Sequence, residues 1–220
     1  MPKNIILFND NYYLDGYDSI LLDCDGVILN SNFIKEKNIK IVLSKYLFGN
    51  DLNKCIEYFN NNAGLTRETK LKLFISDEII LNKILNEYNS LNLKSLINAP
   101  IVKGLKKLIQ IAKDKSINVD VLSGGDQEEL IKILTIKNIF HFFNNVFGGP
   151  ISKVEHLQNI KLSNNLIFFG DSAYDYKIAQ KFNIDFGLIY GQTDQIFTNN
   201  NDLIKIIAPN FKNIKIKQHD

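Results

Sequence analysis

The stretch Ile20-Leu21-Leu22-Asp23-Cys24-Asp25-Gly26-Val27-Ile28 decides how the rest of this chain is read. Its apolar run predicts a buried strand, and the glycine after the second acid predicts a sharp turn. Asp23 and Asp25 then stand where strand becomes turn, the end at which open α/β sheets bind ligands. Two carboxylates one residue apart repel, and each drives the other's protonation unless a cation or a shared proton compensates. Mg2+ is the natural compensator because it prefers hard oxygen ligands. Alone, the same letters also describe an acidic turn after a strand, so the choice rests on what joins them.

Composition sets the outer bounds. At 220 residues, with 45% apolar side chains, the chain is long enough for one sizeable domain or a domain with an insert. The 26 basic and 24 acidic residues nearly cancel, and no basic block gives an electrostatic reason to expect nucleic acid. Cys24 and Cys55 form neither a disulfide framework nor a metal spacing, which fits a reducing compartment. His141, His156 and His219 are scattered, which argues against zinc. The apolar run Ile5-Ile6-Leu7-Phe8 is too short for a signal peptide, and no run reaches the length of a membrane span. The expectation is a cytoplasmic protein that engages neither nucleic acid nor membrane. Its oligomeric state cannot be read from the sequence.

The basic residues are unevenly drawn. All are lysines except Arg67. Together with abundant Asn and Ile, this pattern indicates a bias that places Lys wherever a plain positive charge suffices. Arg67 either sits where a planar, bidentate guanidinium is needed or survives by chance on a solvated helix face.

Strand-like runs occur at Ser19–Leu22, 119–122, 146–147, 166–169 and 186–190. Helix start signals lie between the later runs. Asp126-Gln127-Glu128-Glu129 is an acidic cap with Glu at the third helical position, and Ser152-Lys153-Val154-Glu155 reads as a capping box. A further helix is predicted over about 174–182. Strands alternating with helices predict an α/β fold built on a parallel sheet. The stretch 32–98 instead carries helical periodicity almost throughout, including Ile34, Ile41, Val42 and Lys45-Tyr46-Leu47, and reads as about four inserted helices. The expected organisation is a Rossmann-like core of residues 1–31 and 99–220, with 32–98 as a helical cap domain. Residues 1–18 are expected to add an edge strand or hairpin, the tail after Pro209 to pack on the core, and Asn199-Asn200-Asn201 to form an exposed turn.

Each later strand exit carries a particular polar group. Ser123-Gly124-Gly125 offers a hydroxyl and flexible backbone N–H groups to an anion. Lys153 follows Gly148-Gly149-Pro150-Ile151-Ser152 at a helix start, where ammonium and helix N-terminus both favour negative charge. Gly170-Asp171-Ser172-Ala173-Tyr174-Asp175 adds two carboxylates four apart. A parallel sheet gathers these exits on one edge, which assembles four acids, a hydroxyl and a lysine.

On these residues the chain resembles the haloacid dehalogenase-like phosphohydrolases over roughly residues 18–192. The four motifs agree in order and spacing, and the helical insert falls where that family carries its C1 cap. The resemblance is nearest to helical-cap members similar to phosphoglycolate phosphatase and β-phosphoglucomutase. Within the insert, 62–71 resembles their cap loop, in which an arginine, here Arg67, reaches toward substrate. Asn30 departs from the Asp that many relatives carry before Ser31. The resemblance implies Asp23 as nucleophile and Asp25 as general acid/base. It implies Ser123, Gly124 and Lys153 as holders of the phosphoryl oxygens, and Gly26, Ser31 and Arg67 on the substrate side. Mg2+ would be held by Asp23, Asp25 (through its backbone carbonyl), Asp171 and Asp175. The implied activity is Mg2+-dependent hydrolysis of a small phosphorylated metabolite through an aspartyl-phosphate.

Rival readings share parts of this set. A receiver domain lacks the long insert and the Asp-x-Asp-Gly turn. A haloalkanoic acid dehalogenase has no use for Asp25 as an acid. A phosphonatase needs an imine-forming cap lysine, for which nothing in the sequence picks out Lys70 or Lys72. A phosphomutase uses the same acids and a similar cap arginine, and sequence does not separate it from a phosphatase. A non-catalytic role is disfavoured because every motif position is chemically competent.

Overall fold

The computed structural model describes residues 11–62, 64–192 and 203–216. Ala63, the residues before Asn11 and the Asn199-Asn200-Asn201 stretch lie outside them, as does His219. The central element is β2 (Ser19–Leu22), whose four residues are all buried. A run buried on both faces is what the inside of a parallel sheet requires. β2 pairs in parallel with β3 (Asn118–Asp126) on one side and β5 (Leu166–Gly170) on the other. With β4 (Asn145–Gly149), β6 (Asp185–Ile189) and β7 (Ile204–Ala208), they form a six-stranded parallel sheet of order β4-β3-β2-β5-β6-β7. The order reverses between β2 and β5, where a doubly wound sheet opens its binding crevice beyond the strand ends.

Helices cover the sheet. Leu105, Leu108, Ile109 and Ala112 of α5 (Leu105–Asp114), with Leu130, Ile133 and Leu134 of α6 (Gln127–Ile136), share a core with Ile20, Leu22, Val119 and Val121. A second core joins Leu21, Phe168, Phe186 and Leu188 to Leu157 of α7 (Lys153–Gln158) and to Tyr176, Ile178 and Ala179 of α8 (Ala173–Phe182). Opposite faces of one strand thus feed separate cores, as the two-residue period of a strand dictates. At about 1.5–3 kcal/mol per fully buried large apolar side chain, this packing dominates the stability of the scaffold behind the site.

Between β2 and α5 the described residues are helical: α1 (Asn32–Leu43), α2 (Gly49–Asn61), α3 (Arg67–Leu71) and α4 (Glu78–Leu96). They pack their own core from Ile39, Val42, Leu43, Cys55, Phe59, Leu71, Ile84 and Tyr88. Thr66 caps α3 and Asp77 caps α4, each accepting from N–H groups of the first turn. Among the described residues no helix is long and apolar enough to cross a membrane.

Several details differ from the sequence reading. β3 continues through Ser123-Gly124-Gly125 to Asp126, with a register shift after Leu122, where a strand exit was expected. Flexible glycines let the strand bend without leaving its partner. β7 was not anticipated. Tyr12–Tyr13 (β1) pairs in parallel with Ile214–Lys215 (β8) as a separate two-stranded ribbon, so these residues add neither a hairpin nor an edge to the main sheet. Lys45-Tyr46-Leu47 lies in the turn between α1 and α2. Ser152 accepts from the Glu155 N–H as one half of its capping box, and both halves occur instead at Ser172 and Asp175. The tail does pack on the core, through Phe211, Ile214 and Ile216.

Candidate active site

β2 delivers Asp23 to the crevice and holds it there, since the Asp23 N–H donates to the Phe169 carbonyl at 2.9 Å. Gly26 makes the turn that follows. Its φ of +76° suits glycine, and a Cβ there would fall 2.0 Å from Asp171 Oδ2. The Gly26 N–H donates to the Leu29 carbonyl at 2.8 Å, so this residue shapes the turn and lets Asp171 approach. From β5, Asp171 arrives beside Asp23, and the capping box of α8 adds Asp175 one turn later.

Ligand oxygens of Asp23, Asp171 and Asp175 lie within 4.8 Å of one another, and all three residues are buried. Lys153, itself buried, bridges two of them, reaching Asp23 Oδ1 at 2.5 Å and Asp175 Oδ1 at 2.6 Å. Ser172 Oγ donates to Asp175 Oδ2 at 2.5 Å and Asn32 Nδ2 to Asp171 Oδ2 at 2.6 Å. Burial, reinforced by Asp175 and Asp25 and opposed by Lys153, pushes the Asp23 carboxyl up to about 7. Burial and the neighbouring Asp23 and Asp175 carry Asp171 well above the usual carboxylate range. Burial alone would lower Lys153, but Asp175 and Asp23 outweigh it and hold the ammonium charged. Once ionised, three buried carboxylates against one ammonium would carry an excess of two negative charges, which is why burial and mutual repulsion raise Asp23 and Asp171 while no cation compensates. Oxygen ligands with that excess fit a hard divalent cation such as Mg2+.

The Asp25 carboxylate points elsewhere. It accepts from Ser31 Oγ at 2.6 Å and pairs with Lys35 Nζ at 2.5 Å. Burial pushes its carboxyl up, yet Lys35 and Ser31 prevail and hold it below the ordinary range. Ser31 is fully buried with its hydroxyl on Asp25, so it orients the acid. Ser123 is also fully buried, with Oγ accepting from the Gly125 N–H at 3.0 Å.

A cavity of about 400 Å³ opens onto Asp23, Asp25 and Asp171 from the helical side. Gly124 and Gly64 form one seam of it, since a Cβ on Gly124 would meet the Gly64 carbonyl oxygen at 2.5 Å. Arg67 lines this cavity, and its geometry is the planar, bidentate one that Lys cannot reproduce. Its partner is protein: Nη1 and Nη2 donate to Glu129 Oε2 and Oε1 at 2.9 and 2.5 Å, and Nη1 also donates to Asn89 Oδ1. This buried pair ties α3 to α6. Burial would lower the Arg67 guanidinium, but Glu129 holds it charged.

Sequence reasoning did not single out Asn32, Lys35 or Glu129, and left Lys70 unresolved. Asn32 and Lys35 are one turn apart at the start of the helix that follows the acidic turn, so they share a face toward it. That spacing is the signal that could have found them.

The family model for haloacid dehalogenase-like hydrolases matches residues 20–189. Comparison with curated proteins gives no match. Solved structures of similar fold include a predicted phosphatase from Clostridium acetobutylicum, at 21% identity, 87% of this chain, 93% of that one and a TM-score of 0.68. A haloacid dehalogenase-like family hydrolase from Streptococcus pneumoniae aligns at 17% identity, over 86% of this chain and 92% of that one, with a TM-score of 0.63. CbbY from Rhodobacter sphaeroides, solved as a mutant with xylulose-1,5-bisphosphate, aligns at 11% identity, 89% of this chain, 95% of that one and a TM-score of 0.68.

Proposed function

Because the chain belongs to the haloacid dehalogenase-like hydrolase family, we propose that it is a Mg2+-dependent phosphatase of small phosphorylated metabolites, with Asp23 as its nucleophile. The observation that carries this reading is the buried, mutually bonded set Asp23, Lys153, Asp175 and Asp171, of which Asp23 and Asp171 line the cavity. Lys153 pins one Asp23 oxygen, which limits the carboxylate's rotation toward the substrate. An Asp23 oxygen forms a bond to phosphorus as the ester P–O bond breaks, giving an aspartyl-phosphate and an alcohol. The leaving oxygen takes its proton through Asp25, which stands ionised beside Lys35 at rest and receives that proton from the Lys35 ammonium 2.5 Å away; the proton Asp25 later takes from water returns to Lys35. In the second step Asp25 takes a proton from water as it attacks phosphorus, releasing phosphate and restoring Asp23.

Asp23, Asp171, Asp175 and the Asp25 backbone carbonyl are the groups that would hold Mg2+. When bound, the ion supplies charge neutralisation for the phosphoryl oxygens. Ser123, Gly124 and Lys153 would complete the phosphoryl cradle, where positioning and charge stabilisation provide most of the catalysis. The helices of 32–98 act as a cap that excludes water and chooses the substrate. Lys35 and Ser31 position Asp25, and Arg67 locks the cap to α6 through Glu129. The test is a panel of sugar phosphates, phosphoglycolate and nucleotides with Mg2+, scoring free phosphate against isomer formation. Phosphate release supports the reading, and isomer formation without it would replace the phosphatase by a phosphomutase.

A further inference from the structure

Three buried or half-buried cations, Lys35, Arg67 and Lys70, line the cavity. Lys35 is paired with Asp25, and Arg67 is paired with Glu129. Lys70, only 7% exposed, has no carboxylate at ion-pair distance among the described residues. Its ammonium donates to the Phe59 carbonyl at 3.2 Å and lies 3.6 Å from the centre of the Phe59 ring. An ammonium has three donors and a full charge, and one carbonyl with a ring face satisfies it only in part. Beyond these cations and the acids Asp23, Asp25 and Asp171, the charged groups lining the cavity are Glu36 and Lys177, both exposed.

We propose that Lys70 recognises a second anionic group on the substrate, so that the preferred substrate is a phosphomonoester that also carries a carboxylate or another phosphate. The same cavity reaches Asp23 and Lys70, so one small molecule can present its ester phosphate to the first and its second anion to the other. Lys35 and Arg67 could do this only by giving up their carboxylates, which leaves Lys70 as the uncommitted cation. Burial, with help from Lys35 and Arg67 and against Asp25, lowers the Lys70 amine to about 7. An anion beside it reverses that preference, so binding above neutral pH draws a proton onto the amine. This assignment rests on the phosphatase reading for where the ester phosphate sits.

The experiment compares two ligands that cannot be hydrolysed as esters, phosphonoacetate and methylphosphonate, by calorimetry with Mg2+. Wild type is expected to bind phosphonoacetate about 10- to 100-fold more tightly, the range of a charge-assisted hydrogen bond. In Lys70→Met, and in Lys70→Gln should the first fold poorly, that ratio should fall toward one. At pH 8, titrations in buffers of different ionisation enthalpy should show proton uptake by wild type and less by the variants. A ratio unchanged by either substitution, or the same uptake in all three proteins, would overturn the assignment. A kinetic arm compares 2-phosphoglycolate and fructose 1,6-bisphosphate with glycerol 1-phosphate, and so separates a carboxylate from a phosphate as the second anion. Selective binding without any phosphate release would sink the phosphatase reading and leave Lys70 standing. Phosphate release with selectivity indifferent to Lys70 would do the reverse.

Discussion

Replacing Lys70 by Met should stabilise the protein, by an amount that depends on pH. The substitution keeps an unbranched side chain of similar length and removes a buried ammonium. The amine falls from its ordinary 10.5 to about 7 in the folded state, driven by burial and then by Lys35 and Arg67. At 1.36 kcal/mol per pH unit, the fully protonated state carries a penalty of about 5 kcal/mol. Losing the Phe59 carbonyl and ring contacts offsets about 2 kcal/mol of this gain, which leaves a net of about 3 kcal/mol. The folded amine holds its proton less tightly than the unfolded one. Between about pH 7 and 10.5 the unfolded chain therefore binds more protons, and wild-type stability rises with pH relative to the variant. Below about pH 7 both states are protonated and the penalty is complete. Urea unfolding of both proteins at pH 6.5, 8 and 9.5 measures the gap. It should be largest at pH 6.5 and narrow by about 1.4 kcal/mol per unit above pH 7. A variant less stable than wild type at pH 6.5, or a gap constant across that range, would refute the reasoning.

Glu129→Gln should cost about 3–5 kcal/mol in chemical unfolding by stranding the Arg67 guanidinium, whereas Arg67→Met with Glu129→Met should recover most of that loss. If the double variant is no more stable than the single, the pair is not what joins α3 to α6. Gly26→Ala places a methyl carbon 2.0 Å from Asp171 Oδ2 at a φ of +76°. It should lower activity more than tenfold with a stability loss of about 1–3 kcal/mol, and wild-type turnover in this variant would contradict the close approach of Asp171. Removing divalent cations with EDTA should abolish activity, and saturating Mg2+ should raise the unfolding free energy by about 2.7 kcal/mol at a hundredfold excess over Kd. In Asp171→Asn that stabilisation should largely disappear; full retention would place the ion elsewhere.

The sheet and its acids were legible because they are local in the sequence. An apolar run buried on both faces reads as a central strand, and Asp23, Asp171 and Asp175 announce themselves at strand exits and a helix cap. Pairings between elements were not legible. Glu129 reads as the third residue of a capped helix, and its N–H indeed donates to Asp126 Oδ1 at 2.9 Å, yet its carboxylate crosses to Arg67. For Arg67 the sequence left a bidentate site and chance survival both open, and the fold supplies the bidentate partner in Glu129, a residue 62 positions away that no local pattern links to it. Lys70 looked like any helix lysine until the fold placed it under Phe59, without a carboxylate. β7 escaped because Ile204-Lys205-Ile206-Ile207-Ala208 has neither strict alternation nor an unbroken apolar run, and its pairing with β6 is long-range.

The central claim is that Asp23 attacks phosphorus. The most direct measurement is intact-protein mass after rapid acid quench of enzyme turning over a phosphomonoester with Mg2+, beside Asp23→Asn treated identically. Wild type should gain the mass of one phosphoryl group, mapped to Asp23 after reductive cleavage of the acyl phosphate, while the variant gains none and releases no phosphate. Phosphate release by Asp23→Asn at the wild-type rate, or a phosphoryl group mapped to another residue, would contradict the account.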